Sequence, residues 1–270
     1  MMVLIYCEGG DLRNYLNQSE NYNYISKVKT LSQIAKGLLD IHNAEKVHRD
    51  FHSGNILLKI SDSITLISDL GLCQPANNER KKGVYGILPY VAPEVLRGSQ
   101  YTKAADIYSF GIIMNELMSE EIPYHDIPHD QILTFGICKG LRPKISEDTP
   151  KLLADLIMKC WDAKVESRPT AKELDQILNK WNIECGGGGY GDIISDDDSD
   201  YKDENSEIYI QIEECEKIRE NKPVKNKPKT IHQTHPQAIY TSRLLNFKNL
   251  PEPENSSDLS PFQNNTGNIT

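Results

Sequence analysis

The sequence predicts a mainly α-helical body carrying short β-hairpins, followed by a disordered acidic tail. Three observations carry this expectation. Apolar residues recur at helical spacing over residues 26–43, through Ile25, Val28, Leu31, Ile34, Ala35, Leu38 and Ile41. The strand-like runs are short: Ile56-Leu57-Leu58 and Ile64-Thr65-Leu66-Ile67, with Ser61-Asp62-Ser63 as the turn between them. Beyond residue 182 the chain changes to Gly186–Gly189 and then Asp196-Asp197-Asp198, the composition of a domain end and a linker. The expected division is a folded domain over 1–182 and a low-complexity tail over 183–270.

Taken in order, Met1–Tyr6 is an apolar run readable as a strand, which Gly9-Gly10 breaks. Asp11 is placed to cap a helix beginning at Leu12. The 26–43 helix delivers the chain to His48-Arg49-Asp50-Phe51-His52-Ser53-Gly54-Asn55. The two strands follow, and then Asp69-Leu70-Gly71, fourteen residues after Asn55. Arg80-Lys81-Lys82 is a basic cluster of the kind that usually forms a solvated face. Between Asp69 and Gly86 the only hydroxyl side chain is Tyr85. Ala92-Pro93-Glu94 closes that segment. Thr102 is a good N-cap for a helix running to about Met118, and Glu116, Glu120 and Glu121 read as solvated. Further helices are expected near 129–138, 150–160 and 170–182, punctuated by Pro123, Pro128, Pro143 and Pro150. In the tail, Ile208, Ile212, Cys215 and Arg219 fall at the spacing of a marginal helix. Ile239, Tyr240, Leu244, Leu245 and Phe247 form a second apolar group, for which disorder is the expectation and docking the alternative.

Composition narrows the function. The formal charge of −9 disfavours general nucleic-acid binding. It is unevenly spread: residues 186–270 hold 15 acidic and 9 basic side chains, residues 1–185 hold 24 and 21. Six scattered cysteines without a C-x-x-C pair suggest neither a zinc site nor a disulfide framework, and point to a reducing, cytoplasmic compartment. No apolar run approaches the roughly twenty residues of a membrane span, and the N-terminus lacks the form of a signal peptide.

The residue types in the 48–55 loop suit phosphoryl transfer. That chemistry needs a carboxylate beside the accepting hydroxyl and oxygen ligands holding Mg²⁺ on the phosphates. Asp50 offers the first, Asn55 and Asp69 the second. Together with Asp69-Leu70-Gly71 and Ala92-Pro93-Glu94, in that order, the loop resembles the protein kinase catalytic loop H-R-D-x-x-x-x-N with its D-F-G-type turn and A-P-E end. The form H-R-D-F-H-S-G-N is similar to the tyrosine-kinase-like group, and the resemblance covers residues 1 to about 182.

The resemblance implies a kinase large lobe beginning at its hinge, ATP and Mg²⁺ as cofactors, and protein substrates bearing serine or threonine. It implies adenine contact at the Tyr6 and Cys7 backbone, ribose near Asp11, and Leu57 beneath the adenine ring. It makes His48, Arg49, Asp106 and the Glu94–Arg168 pair structural support, with Asp106 bonding the loop backbone from below. Arg49 is the basic group that a phosphorylated activation segment would pair with, leaving that segment constitutively placed or switched through Tyr85. Two departures stand out. No G-x-G-x-x-G or strand lysine precedes the hinge, so a fragment lacking its small lobe is expected, with an inactive scaffold as the alternative. Ile87 occupies the usual threonine position, which keeps tyrosine or dual specificity open. The tail's partner is unknown.

Overall fold

The computed structural model describes residues 5–18, 22–75, 83–188, 202–221 and 234–255. In chain order the elements are α1 (Leu12–Gln18), α2 (Tyr24–Asn43), β1 (Lys46–Val47), β2 (Ile56–Lys59), β3 (Ile64–Ile67), β4 (Gln74–Pro75), β5 (Val84–Gly86), α3 (Pro93–Leu96), α4 (Lys103–Ser119), α5 (Gln131–Cys138), α6 (Lys151–Cys160), α7 (Ala171–Glu184), α8 (Glu207–Asn221) and β6 (Arg243–Leu245). Among the described residues the strands pair as two-stranded antiparallel ribbons: β1 with β4, β2 with β3, and β5 with β6. The helix-rich fold is therefore the one expected.

Helix α4 lies at the centre. Thr102 caps it by accepting the Ala105 N–H at 3.2 Å, and every residue from Ala105 to Met118 is buried. A helix buried on all sides belongs to the core. It packs closely on α6 at Gly111, where an added Cβ would stand 2.8 Å from Cys160 Cβ. Helix α2 is capped by Asn23, which accepts the Ser26 N–H at 2.8 Å. It buries Val28, Leu31, Ile34, Ala35 and Leu38, the predicted stripe, and packs along α7. Helix α7 opens with a capping box between Thr170 and Glu173, which satisfies two otherwise free backbone donors.

Three expectations change. Ile5 and Tyr6 form no strand, and Tyr6 is 82% exposed; residues 1–4 of that run lie outside the described residues. Strands need partners, and none among the described residues reaches this run. Second, Glu116 is buried and Glu120 is paired, with Lys27 Nζ at 2.7 Å and Arg219 at 3.0 Å. Only Glu121 of the three is exposed. Third, two stretches of the tail are ordered against the body. Helix α8 buries Ile208, Ile212 and Cys215 and lies on α2 and α7, while residues 234–255 contact β5, Asp50 and α5. The six cysteines are free thiols. Among the described residues no helix is long and apolar enough to cross a membrane. The basic cluster Arg80-Lys81-Lys82 lies outside the described residues.

Candidate active site

The 48–55 loop is fixed by the first turn of α4. Asp106 Oδ2 accepts the His48 N–H at 2.8 Å, and Oδ1 accepts the Arg49 N–H at 3.1 Å. His42 Nε2 donates to the same carboxylate at 3.0 Å. Arg49 adopts φ 73°, a conformation that costs a non-glycine residue of order 1–3 kcal/mol and persists only where its surroundings over-determine it. The two backbone bonds to Asp106 supply that constraint. The Arg49 guanidinium lies over the Tyr101 ring, 4.9 Å from its centroid.

Hydrogen bonds tie the loop to the Asp69 turn. Asn55 Nδ2 donates to the Asp50 carbonyl at 2.8 Å. The Asn55 carbonyl accepts from Ser68 N at 2.8 Å and from Ser68 Oγ at 3.0 Å, while His48 Nε2 donates to the Ser68 carbonyl at 3.0 Å. Asp50, Asn55 and the residue before Asp69 thus share one network. Asp69 itself is left-handed (φ 54°, ψ 60°) and exposed, and its side chain caps nothing. At Gly71 an added Cβ would stand 3.3 Å from Asp69 Oδ1.

These features suit a divalent cation. The Asn55 amide nitrogen is committed to Asp50, leaving its oxygen to ligate; the Asp69 carboxylate is free of a cap. Both are hard oxygens, and Mg²⁺ characteristically takes one or two from the protein and the rest from phosphates and water. Among the described residues no cluster of three or more His, Cys, Asp or Glu side chains could hold a metal by itself.

Asp50 is 5% exposed. His52 Nε2 stands 3.7 Å from its Oδ1, too far for a hydrogen bond, and among the described residues Oδ1 has no hydrogen-bond partner. Oδ2 accepts from the Ser242 hydroxyl at 2.5 Å. Burial pushes this carboxyl up, but the His52 ring, the Ser242 hydroxyl and the nearby His48 ring outweigh it and hold Asp50 below the ordinary carboxylate range. It is therefore anionic at neutral pH. Gly86 lies alongside, at φ +147°, where an added Cβ would stand 3.0 Å from Val91 Cγ2 and 3.6 Å from Asp50 Oδ1.

A second buried network underlies the loop. Glu116, 1% exposed, accepts from Tyr90 OH at 2.6 Å and from Ser53 Oγ at 2.9 Å, with Arg13 Nε at 3.7 Å. Arg13 also donates to Tyr90 OH at 3.1 Å. Burial pushes the Glu116 carboxyl up, against the pull of Arg13, Tyr90 and Ser53. Ser53 is one of the residues that distinguish this loop, and Glu116 fixes it. Reading Glu116 as solvated missed this; the signal was its position in a helix apolar on every face.

Gly9 N donates to the Leu58 carbonyl at 3.0 Å and Leu58 N to the Gly10 carbonyl at 2.9 Å, so the 7–10 turn is clipped to β2. Asp11 bridges to Leu57 and caps α1 by accepting the Asn14 N–H at 3.0 Å. Leu57 is half-buried, on the face of β2 away from buried Ile56 and Leu58. Cys7 is half-buried and its carbonyl accepts from Gly10 N at 3.1 Å. Farther below, the buried Arg168 forks onto Glu94 at 2.7 and 2.8 Å, and also donates to the Ala104 and Asp162 carbonyls.

The tail crosses the mouth of the site. Strand β6 pairs antiparallel with β5, setting Arg243 opposite Gly86 and Leu245 opposite Val84. Tyr85 OH donates to the Ser242 carbonyl at 3.0 Å. Tyr240 lies under the Arg13 guanidinium (4.8 Å to the ring centroid), edge-on to His129 (4.9 Å), and donates to the Pro123 carbonyl at 2.7 Å.

With this geometry in place, comparison with known proteins is informative. A family model described as protein tyrosine and serine/threonine kinase matches residues 1–178. The chain is 31% identical over 203 residues to the protein named "Probable serine/threonine-protein kinase roco6" of Dictyostelium discoideum, covering 66% of this chain and 10% of that one. It is 25% identical over 290 residues to mitogen-activated protein kinase kinase kinase 7 of Homo sapiens, covering 96% of this chain and 48% of that one. The chain thus spans from a tenth to about half the length of these relatives.

Proposed function

This chain belongs to the protein tyrosine and serine/threonine kinase family, and we propose that its site transfers the terminal phosphoryl group of ATP to serine and threonine hydroxyls of proteins. Asp50 orients the accepting hydroxyl and takes its proton. Asn55 and Asp69 would hold Mg²⁺ by their oxygens. Bound ATP would supply the phosphoryl group, and the metal would offset the charge on its phosphates. The Tyr6 and Cys7 backbone and Leu57 border the adenine, and Asp11 the ribose. His48, Arg49, Asp106, Glu94 and Arg168 hold these groups in place without touching the reacting atoms. The unit that does this is residues 1–182, and the six free thiols of the whole chain fit a cytoplasmic setting.

The observation that carries the reading is the Asp50 carboxylate. It is buried, anionic, hydrogen-bonded to a hydroxyl on one oxygen and, among the described residues, without a hydrogen-bond partner on the other, in a loop that contains Asn55 and is tied to Ser68, the residue before Asp69. Calorimetric titration of the chain with ATP, with and without Mg²⁺, tests the binding half. Metal-dependent binding is expected, and Asp69→Asn should weaken it by about tenfold or more, since even outer-shell changes act on that scale. Binding indifferent to Mg²⁺ and to this substitution would contradict the assignment.

A further inference from the structure

We propose that residues 239–245 are a peptide acceptor docked in cis, with Ser242 as a site of self-modification. This rests on reading Asp50 as the group that receives the acceptor's proton. Three independent contacts put the segment there. The Ser242 hydroxyl donates to Asp50 Oδ2 at 2.5 Å, the position an accepting hydroxyl must take. Strand β6 extends β5, so the segment is read through its backbone, as an extended peptide adding to a sheet edge. Side chains on either side of Ser242 then fill distinct places. Two residues before it, Tyr240 is held between Arg13 and His129. Three residues after it, Leu245 is 6% exposed, while its neighbour Leu244 is 67% exposed and faces solvent. Arg243 donates to the His129 carbonyl at 3.0 Å.

The segment thereby names a substrate class: extended peptides with serine at the acceptor, an aromatic residue two before it and an aliphatic one three after it. A serine-length side chain reaches Asp50 while the peptide backbone is held by β5. A tyrosine at the same backbone position would carry its hydroxyl several ångströms further out, past the carboxylate.

In the transfer step Ser242 Oγ forms the new bond to the terminal phosphorus of a nucleoside triphosphate. The bond from that phosphorus to the bridging oxygen breaks, its electron pair leaving on the nucleoside diphosphate. The hydroxyl proton passes to Asp50. The product then carries a phosphate where a neutral hydroxyl touched a buried carboxylate, and like charges at that range repel. The modified segment leaves, and the groove opens to other acceptors. Tyr85 sits on the same latch through its bond to the Ser242 carbonyl.

The test uses the full chain. Hydrogen exchange read by mass spectrometry should find 84–86 and 243–245 protected together. Tyr240→Ala with Leu245→Asp should speed exchange in both strands by about tenfold or more, and Ser242→Glu should do the same, while Ser242→Ala leaves them protected. A labelled peptide of residues 238–247 should bind the Tyr240→Ala/Leu245→Asp chain and not the parent. Unchanged exchange at 84–86 in both releasing variants, or equal peptide binding by the parent, overturns the docking. Incubation with ATP and Mg²⁺ plus an added basic protein, followed by phosphosite mapping, separates this inference from the reading beneath it. Phosphate on Ser242 at low chain concentration, at a rate independent of that concentration, supports it. Phosphate on the added protein but never on Ser242 overturns the acceptor assignment and leaves the kinase reading standing. Phosphate nowhere overturns the kinase reading and the acceptor assignment with it.

Discussion

Glu116 offers the sharpest test of how the loop is held. Replacing it by alanine removes the acceptor for Tyr90 OH at 2.6 Å and for Ser53 Oγ at 2.9 Å, and takes the counter-charge from Arg13. Hydrogen bonds to a charged partner contribute about 1.5–3 kcal/mol each. Relief of burying the carboxylate offsets part of that loss. Arg13 keeps its bond to Tyr90 OH, but its Nε has no hydrogen-bond partner among the described residues. Breaking a buried ion pair from one side costs about 3–5 kcal/mol, and Glu116→Ala is expected in that range. Glu116→Gln, which keeps an acceptor and the volume, should cost about 1–2 kcal/mol. Urea unfolding followed by the fluorescence of Trp161 and Trp181 measures both, with the midpoint falling at unchanged slope. Adding Arg13→Met to Glu116→Ala should recover about 1 kcal/mol, because the stranded cation is gone; this coupling is what a shared network requires. A Glu116→Ala loss within about 0.5 kcal/mol of zero, the range of ordinary surface changes, would refute the reasoning.

Three further outcomes follow from the geometry. Glu94→Ala strands the fully buried Arg168 guanidinium and should cost about 3–5 kcal/mol in the same urea assay, whereas Lys151→Ala, at an exposed pair with Asp155, should cost less than about 0.5 kcal/mol. Docking of the 234–255 segment should weaken in mild acid. Burial pushes the His129 imidazole below its ordinary value, with Arg243 and Arg13 pushing the same way against its bonds to the Ile239 and Tyr124 backbones. The released state therefore binds the proton more readily, so docking is complete above the ordinary histidine value of about 6.5 and is lost as pH falls below it. Protection factors at 243–245 measured from about pH 7.5 to 5.5 should fall in the parent and stay level in His129→Gln.

Much of the site could be read from residue order. His48 to Asn55, Asp69 and Ala92-Pro93-Glu94 are local strings, and their spacing depends on backbone constraints that a sequence displays directly. Asp106 and Arg168 lie far along the chain, and the resemblance to the kinase family is what marked them. Side-chain environment was harder to read. Helical periodicity assigns a polar face only when one face meets water, and α4 has no such face from Ala105 to Met118, so Glu116 was given to solvent. Glu120 was misread for the other reason: its partners, Lys27 and Arg219, come from elements distant in sequence. The tail shows the same limit. Its charge and low complexity argue for disorder when the chain is considered alone, but Ile208, Ile212, Tyr240 and Leu245 gain their burial from a surface that only the folded lobe provides. The Met1–Tyr6 run shows the converse, since strand propensity without a neighbouring strand gives no strand at Ile5 and Tyr6.

Phosphate transfer by the parent chain and by Asp50→Asn, compared at saturating ATP and Mg²⁺ with the acceptor held constant, tests the central assignment most directly. The substitution keeps the side chain's shape and its bond from Ser242 but removes the proton-accepting charge. Transfer should fall by about 10²–10⁴-fold, with ATP affinity unchanged. An Asp50→Asn chain that transfers phosphate at the parent rate would contradict it.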